Sequence, residues 1–242
     1  KGGPLKLWTH LVEKGVPLAD LYVAGADISA GSGATPSVLS ITAARRGEQV
    51  AEYCNSNLTP EQFAYVCVAL CWLFKSETGD GAKIAWELPG PGLTFGKKVL
   101  ELGYSHIFYR TTNPFLEQGK TVETPGWYAT AESKRLLLDE YRAALHARHY
   151  ICRSKDGLEE CLDFKWTADG KVEHVGEKSP SNPTGARTNH GDRVIASALS
   201  WMLARSLGKA EKKREAETIV VGSLAWRRQL QHNRQRIKEQ WA

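Results

Sequence analysis

The sequence predicts an α/β fold, a mixed central sheet flanked by helices, on three observations. Residues 21–27 (LYVAGAD) are apolar on both alternating faces, as in a strand buried in the middle of a sheet. Three strand patterns follow one another through tight connections, and helix and strand patterns then alternate. The helices carry single apolar stripes, so each covers a sheet rather than standing alone.

The first strand runs into the flexible turn Ser29-Ala30-Gly31-Ser32-Gly33. Residues 37–44 are rich in β-formers, Arg45-Arg46-Gly47 reads as a hairpin turn, and 48–53 return. Thr59 caps the next helix, Pro60 suits its first position, and Gln62 completes a capping box. Phe63, Val66, Cys67, Leu70 and Phe74 form its buried stripe. A strand over 83–88 is stopped by Pro89-Gly90-Pro91-Gly92. A helix of about two turns around Val99 ends at Gly103, and 106–109 make another short strand.

Residues 111–128, with Pro114, Gly119, Pro125 and Gly126, read as loop. Thr130 caps a helix bearing Leu137, Tyr141 and Leu145. Phe164-Lys165-Trp166 and 171–175 flank Asp169-Gly170, a hairpin turn. Residues 179–191 are dense in Pro, Asn, Ser and Gly and read as loop. The last amphipathic helix starts near Asp192 and carries Ile195, Leu199, Met202 and Leu203. The expected organisation is a lead-in over 1–20, one domain over 21–208 and a basic tail over 209–242. No internal repeat is present.

Bulk composition bounds the function. The 242 residues are 42% hydrophobic and 24% charged, as in an ordinary soluble protein with a sizeable core. Net charge is +5, and the segment 205–242 holds ten Lys/Arg against four Asp/Glu, so the tail carries the whole excess. A basic end favours a polyanion. The five cysteines are odd in number and form no CxxC pair, which points to a reducing compartment. No apolar run is long enough to cross a bilayer, and the start does not read as a signal peptide. A start without Met suggests a piece of a longer chain.

Three carboxylates carry the chemistry. Asp27 ends the first strand, Glu87 ends a second, and Asp192 opens the last helix. Brought together, they would offer hard oxygen ligands to two divalent ions, Mg²⁺ or Mn²⁺, for phosphodiester hydrolysis. An Asp before a glycine-rich turn is also a common turn former, and a first-turn Asp a common helix residue, so spacing alone leaves both readings open. Candidate phosphate contacts are Arg45 and Arg46 at a hairpin tip, Lys97 and Lys98 on a helix, Lys134, and His190 beside Asp192. His146 and His149 lack further ligands for zinc, and no Gly-x-Ser-x-Gly elbow or recognition helix is present.

Four stretches resemble, in order, the nuclease domain of viral large terminase subunits. They are Val23-Ala24-Gly25-Ala26-Asp27-Ile28-Ser29-Ala30-Gly31, Ile84-Ala85-Trp86-Glu87, Gly126-Trp127-Tyr128-Ala129-Thr130 with Ser133-Lys134, and His190-Gly191-Asp192-Arg193-Val194-Ile195-Ala196. The resemblance spans residues 21 to about 207. It implies a ribonuclease H-like fold and a metal-dependent endonuclease that cuts concatemeric viral DNA during genome packaging in the cytoplasm of an infected cell. Its implied partners are double-stranded DNA, an upstream ATPase domain, the portal and the small terminase subunit, with no membrane. Two departures stand out. Gly191 occupies a position where the family often carries a second acid, leaving Glu160 or Asp163 as possible helpers. No phosphate-binding loop occurs, since Gly92-Leu93-Thr94-Phe95-Gly96-Lys97 has the wrong spacing. The alternatives are another ribonuclease H-like nuclease, for junctions or RNA–DNA hybrids, and a DNA-binding or assembly module with a degenerate site.

Overall fold

The computed structural model describes residues 3–12, 15–111, 123–166, 172–174 and 191–215. A short strand β1 (Leu5–Leu7) lies in the stretch expected as lead-in. The next three strands, β2 (Tyr22–Asp27), β3 (Ser37–Ala43) and β4 (Glu48–Asn55), form the expected antiparallel meander, with Arg45-Arg46-Gly47 at the β3–β4 turn. Gly47 adopts φ 61, which the tight return requires. The helix α1 (Pro60–Leu73) begins with both halves of its capping box made, as Thr59 and Gln62 predict.

After α1 comes β5 (Lys83–Trp86), which pairs parallel to β2 with Ala26 opposite Trp86. The sheet order is β1-β4-β3-β2-β5, so β2 sits between two partners and is buried along most of its length. The helix α2 (Pro91–Glu101) has three turns rather than two. It starts inside the expected Pro/Gly stop, because Pro91 fits the first helical turn.

Further differences come from very short elements. In place of a strand over 106–109, Ile107 makes one isolated parallel bridge to Ile84, and β6 (Tyr109–Thr111) follows. The expected loop contains β7 (Glu123–Pro125), antiparallel to β6; residues 112–122 lie outside the described residues. The helix α3 (Ala131–His146) is capped by Thr130, as expected. The helix α4 (Lys155–Cys161) was not foreseen, being only seven residues long. The strands β8 (Phe164–Trp166) and β9 (Val172–His174) pair as predicted, with the Asp169-Gly170 tip outside the described residues. The last helix, α5 (Asp192–Glu215), passes Gly208 without stopping. Residues 179–190 of the expected loop are likewise outside.

The chain divides into two compact units, Lys1–Arg205 and Ser206–Ala242. Of the second, the description covers helical backbone to Glu215. In the first, strand alternation sends side chains to two cores. Ala24, Ala26, Ile84 and Trp86 pack with Phe63, Cys67 and Phe74 of the α1 region and with Phe95 and Val99 of α2. The other core joins Leu137, Leu138 and Tyr141 of α3 with Tyr150 and with Val194, Ile195, Ala198 and Leu199 of α5. Small and hydroxylic residues let α5 approach the sheet: Ser200 meets Thr42 at 2.8 Å and Ser197 meets Ser40 at 3.2 Å. No described helix is long and apolar enough to cross a membrane.

Candidate functional site

Parallel pairing fixes the first two carboxylates. Ala26 faces Trp86, and the Glu87 N–H donates to the Ala26 carbonyl at 3.3 Å, so Asp27 and Glu87 leave neighbouring strands at the same end. Ala26 and Trp86 point into the α1/α2 core; alternation therefore turns Asp27 and Glu87 to the α5 face. On that face Gly25 lies under Ala196, Leu199 and Ser200. Asp27 is two residues further along β2, and Asp192 one turn earlier on α5. The two elements thus converge on one corner.

Electrostatics agrees with this placement. Burial first, then the charges of Asp192 and Glu87, push the Asp27 carboxyl well above the ordinary carboxylate range. Burial, then Glu160, with a smaller share from Glu87, raises Asp192 to about 7. Glu87 is raised by burial. Lys134, in the first turns of α3, opposes all three shifts. The corner therefore gathers negative charge that is costly without a cation. The carboxylates share this corner without closing on a point. Among the described residues, no group of three or more His, Cys, Asp or Glu side chains is spaced to hold one ion.

Local structure explains Gly191. It has φ 73, and its carbonyl accepts the Ile195 N–H at 3.1 Å, so it caps α5 in a conformation that a second aspartate would adopt only with strain. Glu160 stands close enough to Asp192 to raise it, yet both its oxygens serve Arg193: Oε2 accepts from the backbone N–H at 2.9 Å and Oε1 from Nη1 at 2.6 Å. Asp163 follows α4 in a turn, its N–H donating to the Glu160 carbonyl at 3.1 Å.

The predicted basic residues separate. Lys134 reaches the acidic corner. Arg45 and Arg46 do not: the β3–β4 turn lies at the Tyr22 end of β2, roughly 17 Å along the strand from Asp27. Both are paired there, Arg46 with Asp20 at 3.1 Å and Arg45 with Glu77 at 3.8 Å. Lys97 and Lys98 ride on α2, across the sheet from α5, and Lys98 pairs with Glu101 at 2.8 Å. His190 lies outside the described residues.

Sequence reading missed Arg193 and Glu52. The Arg193 side chain also reaches Glu52 at 3.3 Å and the Cys54 sulfur at 3.2 Å. Glu52 is 1% exposed, with Oε2 lacking a hydrogen bond. The available signal was an acid at an interior position of a strand, where a charge needs a partner.

No known family model matches the chain, and no curated protein matches it. Solved structures do match. The large terminase nuclease from thermophilic phage G20c with bound magnesium aligns at TM-score 0.55 and 16% identity, covering 84% of this chain and 88% of that one. The same nuclease with bound cobalt gives equal figures. The large terminase nuclease domain of Thermus phage P74-26 aligns at TM-score 0.52 and 16% identity, covering 83% and 85%. The chain has the fold of these nuclease domains, the ribonuclease H-like mixed sheet flanked by helices.

Proposed function

We propose that this chain is a metal-dependent DNA endonuclease that cuts concatemeric viral DNA during genome packaging. The single observation that carries the reading is the common corner reached by Asp27, Glu87 and Asp192 through the β2–β5 register and the approach of α5 to Gly25. Its support is the shared fold with nucleases solved with magnesium or cobalt bound.

The donor set fits hard divalent ions. Asp27, Glu87 and Asp192 would hold Mg²⁺ or Mn²⁺, two ions in the full reading, through carboxylate oxygens. Cys54, the nearby thiol, is pushed up to about 11 by burial and stays protonated, so it offers no soft thiolate. When bound, such ions lower the pKa of a water and stabilise charge on the phosphate oxygens. The rest falls to the protein. Asp27 ends a strand that is buried along the rest of its length, which limits its motion. Lys134 supplies positive charge where a phosphate would approach. Arg193, held by Glu160 and Glu52, keeps the start of α5 in place.

By the same resemblance, the partners would be double-stranded DNA, an upstream ATPase domain, the portal and the small terminase subunit, in the cytoplasm of an infected cell. The test is cleavage of linear duplex with Mg²⁺ or Mn²⁺. Undiminished cutting by Asp27→Asn rejects the reading. Four-way junction and hybrid substrates, assayed in parallel, separate the other ribonuclease H-like activities.

Gly191 favours a second reading, an assembly or DNA-binding module with a degenerate site. Calorimetric titration of Mn²⁺ decides between them, because a degenerate module would give no heat that depends on Asp27.

A further inference from the structure

Beside the acidic corner lies a second concavity, of about 220 Å³, lined by Phe108, Arg110, Trp127, Tyr128, Thr130 and Ser133. Its floor is rigid and tied to the carboxylates. Trp127 forms a parallel bridge with Glu87, and the Leu88 N–H donates to the Trp127 carbonyl at 2.7 Å. The Phe108 N–H donates to the Ile84 carbonyl and the Gly126 N–H to the Phe108 carbonyl, both at 2.8 Å. On the far wall, the Ser133 hydroxyl donates to the Tyr128 carbonyl at 3.1 Å, and the next residue is Lys134.

The lining selects a ligand class. Tyr128 is 45% exposed, and the Arg110 guanidinium lies 5.2 Å from its ring centroid. An exposed aromatic ring with a cation beside it attracts flat π-systems attached to negative charge. Among the described residues the lining contains three hydroxyls and no carboxylate, so a phosphate-bearing ligand meets no repulsion from them. The volume falls below the roughly 300–1,000 Å³ of drug-sized sites, leaving room for one planar ring system and not for a base pair. A continuous duplex keeps its bases stacked and can present none of them edge-in. An unpaired nucleotide can.

We infer that this pocket takes an unpaired nucleobase from the DNA strand whose phosphate lies at the acidic corner, with the base stacked on Tyr128 and Arg110 set against it. This rests on the nuclease reading above for the choice of DNA. It goes beyond that reading in making a locally opened duplex the preferred substrate.

Fluorescence anisotropy of the full chain in chelator, where no cutting occurs, tests it with three labelled DNAs. One is a blunt duplex, the second carries a short unpaired internal segment, and the third has the same segment made abasic. The expected result is about ten-fold tighter binding of the base-bearing segment than of the abasic one, as one lost aromatic stack predicts. Tyr128→Ala should erase that preference and Tyr128→Phe should keep it, with thermal melting confirming that both variants are folded. Equal affinity of the wild-type chain for the base-bearing and abasic probes overturns the pocket, as does a preference that survives Tyr128→Ala. Cleavage assays on Asp27→Asn run separately. Retained cutting there sinks the nuclease reading and leaves the base preference standing, whereas lost cutting without a base preference sinks only the pocket. No binding of any probe overturns the pocket alone, because the nuclease reading stands or falls on cutting with metal present.

Discussion

Gly25 of β2 lies so close to Ala196 of α5 that a Cβ on the glycine would stand 2.0 Å from the Ala196 carbonyl oxygen. This approach lets α5 bring Asp192 level with Asp27. Glycine is required here for lack of room, and its backbone freedom plays no part. Gly25→Ala should therefore push α5 off the sheet, since the new methyl would also meet the Ser200 nitrogen at 2.5 Å. We expect a loss of about 3 kcal/mol, at the upper end for overpacking, measured by urea unfolding. Mn²⁺ affinity in the folded fraction should fall with it, because the helix start moves. An unchanged midpoint would contradict the close packing.

Asp27→Asn separates stability from function. The wild-type carboxyl is strained by burial and by two neighbouring acids, and the amide removes a charge while keeping the shape. The variant should lose more than about 100-fold in cleavage, beyond the 10–100-fold typical of residues that only support a ligand. In chelator it should melt no lower than the wild type. A variant that cuts poorly and also melts early would point to a structural role instead.

The raised carboxyls give a pH dependence of definite sign. Asp192 moves from an ordinary 3.8 to about 7, so its proton is bound more tightly in the folded state. Its contribution is fully present below pH 3.8 and is lost as pH rises through about 7. Between about pH 5 and 7, metal-free protein should lose stability, with Asp192 alone contributing a slope of up to about 1.4 kcal/mol for each pH unit. Asp192→Asn should flatten the slope. Added Mg²⁺ should reverse it if the corner holds the ion, and differential scanning fluorimetry across that range reads both effects.

Much of this was legible because local rules determined it. Thr59 and Gln62 announce α1 through a capping box four residues long, and that box is made. Asp27, Glu87 and Asp192 were visible as acids at element ends, where side chains face clefts. The elements missed were β1, β7 and α4, of three, three and seven residues, too short for any periodicity to show. Arg45 and Arg46 were placed at a hairpin tip without knowing which end of the sheet that tip occupies. Only the Tyr22–Ala43 register reveals it. The contacts of Arg193 span 33 residues to Glu160 and 141 to Glu52, and no local pattern encodes such pairings.

That network supplies the last prediction. Arg193 is the shared partner of Glu52, 1% exposed, and Glu160, 5% exposed, and it also lies 3.7 Å from Asp156. Removing the guanidinium takes the close partner from two buried carboxylates that face each other, leaving Glu52 only the longer contact with Lys6 at 3.7 Å. Arg193→Met should cost about 3–5 kcal/mol, the usual penalty for breaking a buried pair from one side. Glu52→Gln should cost far less, under about 1 kcal/mol. Oε2 of Glu52 makes no hydrogen bond, and the amide oxygen can still accept from Arg193. In the double variant the two losses should fall short of their sum, because the neutral amide at position 52 carries no charge to strand. Chemical denaturation of the four proteins measures the coupling, and strict additivity would mean that Glu52 and Arg193 act independently despite their contact.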